Sequence, residues 1–136
     1  DDRYNLFKLE ERNVTDTHYF EELDLFISRL AGEIDKKEVL KWQKSLKKSL
    51  HEDAKKAKFR LLIDLRGFDP KNEEVHEMWL KALMGSREIE KQCIKIAFVH
   101  HDSKKMFEML AHKDDEKSFF DDIDDAFSWF KKEVNV

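Results

Sequence analysis

The segment Phe59-Arg60-Leu61-Leu62-Ile63-Asp64-Leu65, closed by Arg66-Gly67-Phe68-Asp69-Pro70, decides the fold. A short apolar run bounded by Gly and Pro reads as a strand buried on both faces, ending in a turn. A second run of the same kind follows at residues 93–101, CIKIAFVHH. Between them, from about Asn72 to Glu90, Val75, Trp79, Ala82 and Leu83 share one helical face, and Gly85 divides the helix or ends its first part. Two buried strands joined by a helix imply parallel neighbours with a right-handed crossover.

The same grammar extends outward in both directions. Asp35 is placed as an N-cap for a helix running to about residue 57, with Val39, Trp42, Leu46 and Leu50 on the inner face. Lys37, Lys41, Lys44, Lys48 and Lys55 lie mainly on its outer side. Upstream, Gly32 breaks a strand over 18–30, HYFEELDLFISRL, in which Leu23, Leu25 and Ile27 alternate with other residues. Residues 4–11, YNLFKLEE, are expected to be its hairpin partner. Downstream, a short helix capped by Asp102 or Ser103 carries Met106, Phe107 and Leu110, and KSFF at 117–120 is a strand candidate. A last helix from about Asp122 places Ile123, Ala126, Phe127, Phe130 and Val134 on one side. The expected fold is α/β in the order ββαβαβαβα, with a mixed, mostly parallel five-stranded sheet in one domain over residues 1–136.

Composition narrows the function classes. Charged residues make up 41% of the chain, yet 11 Phe and 3 Trp are too many large aromatics for a disordered one. A net charge of -4 argues against general nucleic-acid binding, which needs a positive field along phosphates. The single Cys93 forms no internal disulfide and fits a reducing compartment. No apolar stretch is long enough to span a bilayer, and Asp1-Asp2-Arg3-Tyr4 opens no signal-peptide region. The expected address is the cytoplasm.

LLIDLRGF (61–68), IKIAFV (94–99) and DDIDDAFSWFKKE (121–133), together with the element order, resemble the SpoIIAA-like family, which includes the STAS domains of anti-sigma factor antagonists. The resemblance implies this α/β fold and a regulatory or binding role. The regulatory members carry a switch serine, phosphorylated by a partner kinase, in an Asp-Ser pair after the third strand. An ungapped count from Asp64 puts Asn72-Glu73 at that place, so the serine is absent. Glu73 reads either as a fixed negative charge imitating phosphate or, preferably, as an acid favoured by the helix macrodipole.

Asp64, Arg66 and Asp69, with His101 at the end of the neighbouring strand, are candidates for a polar cluster at the carboxyl edge of the sheet, where ligands collect. No nucleophile motif and no phosphate loop accompanies them, so the expectation is a non-enzymatic module without a cofactor. His100 and His101 alternate across the strand and are not expected to share a metal. Trp129, flanked by Phe127 and Phe130, is a candidate contact residue. Charge is unevenly spread: residues 36–58 hold nine Lys against three acids, and 114–125 hold seven acids against Lys117. Lys37, Lys41, Lys44 and Lys48 therefore form a candidate contact with an anionic membrane surface or an acidic protein partner, against the plainer reading of a solvated helix face. The opposite patches would also allow a homodimer. The alternative is a small apolar ligand or lipid carrier of Sec14-like type, with Trp42, Trp79 and Trp129 lining its pocket.

Overall fold

The computed structural model of the chain describes residues 13–54, 57–100 and 117–134. Within them lie β1 (Thr17–Phe20), β2 (Leu25–Arg29), β3 (Gly32–Ile34), α1 (Lys36–Ser49), β4 (Phe59–Asp64), β5 (Phe68–Pro70), α2 (Glu73–Met84), α3 (Arg87–Gln92), β6 (Cys93–Val99), β7 (Lys117–Phe120) and α4 (Ile123–Val134). Five strands form one sheet in the order β1-β2-β4-β6-β7. The pair β1–β2 is antiparallel; β2–β4, β4–β6 and β6–β7 are parallel. The two decisive runs are thus adjacent central parallel strands.

Alternation along these strands builds a core on each face of the sheet. Phe26, Leu61, Ile63, Ile96 and Phe98 face α1 and α2, where they meet Val39, Trp42, Leu46, Val75, Trp79 and Leu83. Leu25, Ile27, Leu62, Ala97 and Val99 face α4 and meet Ile123, Ala126 and Phe130. The apolar runs of β4 and β6, Leu61–Ile63 and Ile96–Val99, are explained by this double coverage.

The N-terminal part departs from the sequence reading. Residues 18–30 are not one strand: a 3-10 turn over Glu21–Leu23 folds the segment back on itself, and Asp24 turns the corner at φ 47. The hairpin therefore lies within 17–29, pairing Thr17 with Ser28 and Phe20 with Leu25. The expected strand at 4–11 and the helix carrying Met106, Phe107 and Leu110 lie outside the described residues. The expected turn after β4 also contains a strand. Both β2 and β4 bend at a glycine, Gly32 at φ 93 and Gly67 at φ 81, and continue as the parallel pair β3–β5 in a second, two-stranded sheet. The Gly32 N–H donates to the Gly67 carbonyl at 2.7 Å. A Cβ at Gly32 would lie 1.9 Å from the Asn13 amide oxygen, so only glycine fits this crossing.

This double bend positions the helices. β3 feeds the N-cap Asp35, whose carboxylate accepts from the Glu38 N–H while the Glu38 side chain accepts from the Asp35 N–H. β5 feeds the N-cap Asn72, whose side chain accepts from the Val75 N–H. The helices α1 and α2 consequently start together and run side by side in the same direction. Their contact is sealed by Trp42 and Trp79, with ring centroids 6.2 Å apart. α1 ends at Ser49 in a π-helical turn over Leu50–Ala54 rather than continuing to residue 57. Gly85 ends α2, and Ser86 caps α3.

Candidate functional site

Alternation places Leu25, Ile27 and Arg29 on the α4 face of β2, and the register sets Arg29 directly beside Asp64 on β4. Both side chains are fully buried at the carboxyl edge of the sheet. The Arg29 Nε lies 3.7 Å from Asp64 Oδ2. Arg66, one turn beyond the strand, closes on the same carboxylate. Its Nε donates to Oδ1 at 2.9 Å, its Nη2 to Oδ2 at 2.8 Å, and its backbone N–H to Oδ1 at 3.1 Å. A planar guanidinium gripping both carboxylate oxygens is the strongest form of this contact, and here it also fixes the start of the loop.

Of the expected cluster, then, Asp64 and Arg66 converge and Asp69 does not. Asp69 is exposed on β5, paired with Glu33 in the second sheet, because the bend at Gly67 turns the chain away from the sheet edge. His101 lies outside the described residues. Arg29 is the member that sequence reasoning missed. Its signal was present: a single charge ending the otherwise buried run LFISR. The group offers two cations on one buried acid, an arrangement suited to holding a strand end rather than to proton transfer. Among the described residues no group of three or more His, Cys, Asp or Glu is arranged to hold a metal ion.

The other candidates are dispersed. Glu73 is exposed at the first position of α2, as a macrodipole acid would be. Trp129 is half-buried rather than part of an open apolar patch. Its ring packs on Phe120 and Phe130, and the Lys95 ammonium sits 4.5 Å from its centroid.

Lys37, Lys41, Lys44 and Lys48 are all exposed on α1. At about 100° per residue they fall within an arc of roughly 60°, directly opposite the buried Val39, Trp42 and Leu46. Leu40, 53% exposed, stands beside this stripe, with Lys36 and Lys47 on its other side. Next to it, α2 presents the exposed acids Glu73, Glu74 and Glu77, and Lys36 already bridges to Glu74. A basic helix and an acidic helix end thus lie in parallel on one surface.

Tyr19 on β1 carries a strong titration shift. Burial against Phe26, together with its hydrogen bond to Asp24 Oδ1 at 2.9 Å, pushes its phenol up to about 12 from an ordinary 10.0. A folded state that holds the neutral phenol contributes stability intact below pH 10, and loses it as pH rises toward 12. Tyrosinate absorbance is therefore expected to include a late-ionising step, and Tyr19→Phe should remove it. A titration curve left unchanged by Tyr19→Phe above about pH 11 would contradict this geometry.

No helix among the described residues is long and apolar enough to cross a membrane. No curated protein and no solved structure matches the chain. Residues 25–131, from the start of β2 into α4, match the model of the SpoIIAA-like family. With the mixed five-stranded sheet and its covering helices, this match makes the chain a member of the SpoIIAA-like family, which suggests a regulatory or binding module.

Proposed function

We propose that this domain is a non-enzymatic binding module that docks an acidic protein segment along the outer face of α1. The observation that carries the reading is the lysine stripe: four exposed cations in a narrow arc on a helix whose opposite face is locked into the core. A stripe flanked by the acids of α2 suits a linear anionic segment better than a flat anionic sheet, which would meet Glu73, Glu74 and Glu77 as well. The carrier alternative has less support. Trp42 and Trp79 are fully buried against each other, and the cleft beside Trp42, between α1 and the α2–α3 junction, is about 250 Å³. Ligand pockets more often run from about 300 to 1,000 Å³.

A fluorescent oligo-glutamate peptide tests the reading by anisotropy. Binding is expected to weaken at least about tenfold as salt rises through the physiological range, and to vanish in Lys41→Glu/Lys44→Glu. Sedimentation with anionic phospholipid vesicles, without peptide binding, would replace the protein partner by a membrane surface. Failure to bind either one at low salt would remove the docking reading.

A further inference from the structure

We propose that the α1–α2 face also binds a second copy of this chain, in a two-fold dimer that lays α1 of each copy on α2 of the other. This goes beyond the docking of a foreign segment, because the complementary acids are on the same molecule. The large hydrophobic side chains that stand most exposed among the described residues are Leu40 at 53% and Met84 at 50%. One lies on α1 and the other on α2, each away from its helix's buried stripe. Beside them, α1 carries Lys37, Lys41, Lys44 and Lys48, and the first two turns of α2 carry Glu73, Glu74 and Glu77.

The parallel course of the two helices decides the symmetry. A two-fold axis across the helices would set α1 on α1, lysines on lysines. An axis along them sets α1 on the second copy's α2, running the same way with their N-termini together. Lys37 and Lys41 then face Glu73 and Glu77 of the second copy, and the two-fold makes every such contact twice. The Lys36–Glu74 bridge shows the same attraction already at work between these helix ends within one chain. The face is about 20 Å long, from 14 residues at 1.5 Å each, and about 20 Å wide, from two helix diameters. It therefore offers on the order of 400 Å² per copy, below the size of a stable interface, and the dimer is weak and reversible. Because the dimer covers the lysine stripe, self-association and docking of an acidic segment exclude each other.

Sedimentation equilibrium on the full chain tests this, with Lys37→Glu/Lys41→Glu and Glu73→Lys/Glu77→Lys compared with the wild type and each checked for folding by circular dichroism. Wild type is expected to dimerise with a dissociation constant on the order of 100 µM at low salt, weakening at least tenfold at high salt. Each variant alone should be monomeric, since its facing helices now carry like charge. Their equimolar mixture should form a heterodimer about as tight as the wild-type dimer, because both of its contacts regain opposite charges. Folded variants that do not associate with each other, a dimer indifferent to either substitution, or a wild type monomeric at about 500 µM and low salt would each overturn the dimer. Retention of oligo-glutamate binding in those cases would leave the docking reading standing.

Discussion

Asp64→Ala is expected to destabilise the fold by about 3–5 kcal/mol, the cost of removing one partner from a fully buried ion pair. The carboxylate serves two guanidiniums at once. Without it, Arg29 stays in the sheet interior with its charge and loses the carboxylate 3.7 Å from its Nε, and Arg66 loses three donated hydrogen bonds. Arg66→Ala, which takes away the partly exposed partner and leaves the buried pair, should cost far less, about 1–2 kcal/mol. The double replacement Arg29→Met/Asp64→Leu is expected to recover much of the loss, since an apolar pair of similar volume avoids desolvating either charge. Urea denaturation of the four proteins checks the order. An Asp64→Ala loss under about 1 kcal/mol would show that the carboxylate does not hold the strand end. Added salt should change these differences little, because buried pairs are weakly screened.

This cluster marks where sequence reading succeeds and where it stops. Asp64 and Arg66 are two residues apart, so a strand end followed by a tight turn brings them together by local geometry alone. Arg29 lies 35 positions upstream of Asp64, and only the β2–β4 register puts the two side by side. Periodicity identifies strands but is silent on register. Asp69 was misplaced for a related reason: a positive-φ glycine reads as a turn whether the chain then stops or, as at Gly67, starts another strand. The N-cap at Asp35, the core stripe of α1 and the helix break at Gly85 were legible because each depends on neighbours within four residues. The early hairpin was not, because HYFEELDLFISRL is apolar enough throughout to pass for one strand. Its fold-back rests on Asp24 accepting φ 47, which no pattern of apolar residues records. The lysine stripe was visible in sequence, whereas its acidic neighbour on α2 became a neighbour only through the parallel β3–β5 pair.

Trp42→Ala is expected to cost about 3–5 kcal/mol and, unlike most core truncations, to be partly reversed by a small aromatic ligand. Trp42 is fully buried on the inner face of α1, and its indole N–H donates to the Ser28 hydroxyl at 2.7 Å. It is also a wall of the cleft between α1 and the α2–α3 junction, with Leu46, Leu50 and Ala82. Removing the indole would join that cleft to the new cavity, giving an apolar chamber open to solvent. Indole added to the variant should refill it and raise the thermal midpoint; at a hundredfold excess over its dissociation constant the gain is about 2.7 kcal/mol. Wild type should show no shift, since Trp42 and Trp79 occupy the space themselves. Trp42→Phe separates the polar contact from the volume: it keeps an aromatic ring, loses the bond to Ser28, and should cost about 1–2 kcal/mol, with the Ser28 hydroxyl still paired to Thr17. Stabilisation of wild type by indole would instead mean that the helices open to admit an apolar guest, which would return the carrier reading to first place. Loss of stability in Trp42→Ala without rescue would mean that the cavity collapses, and that the tryptophan sets the spacing of α1 and α2 on which the lysine and glutamate faces depend.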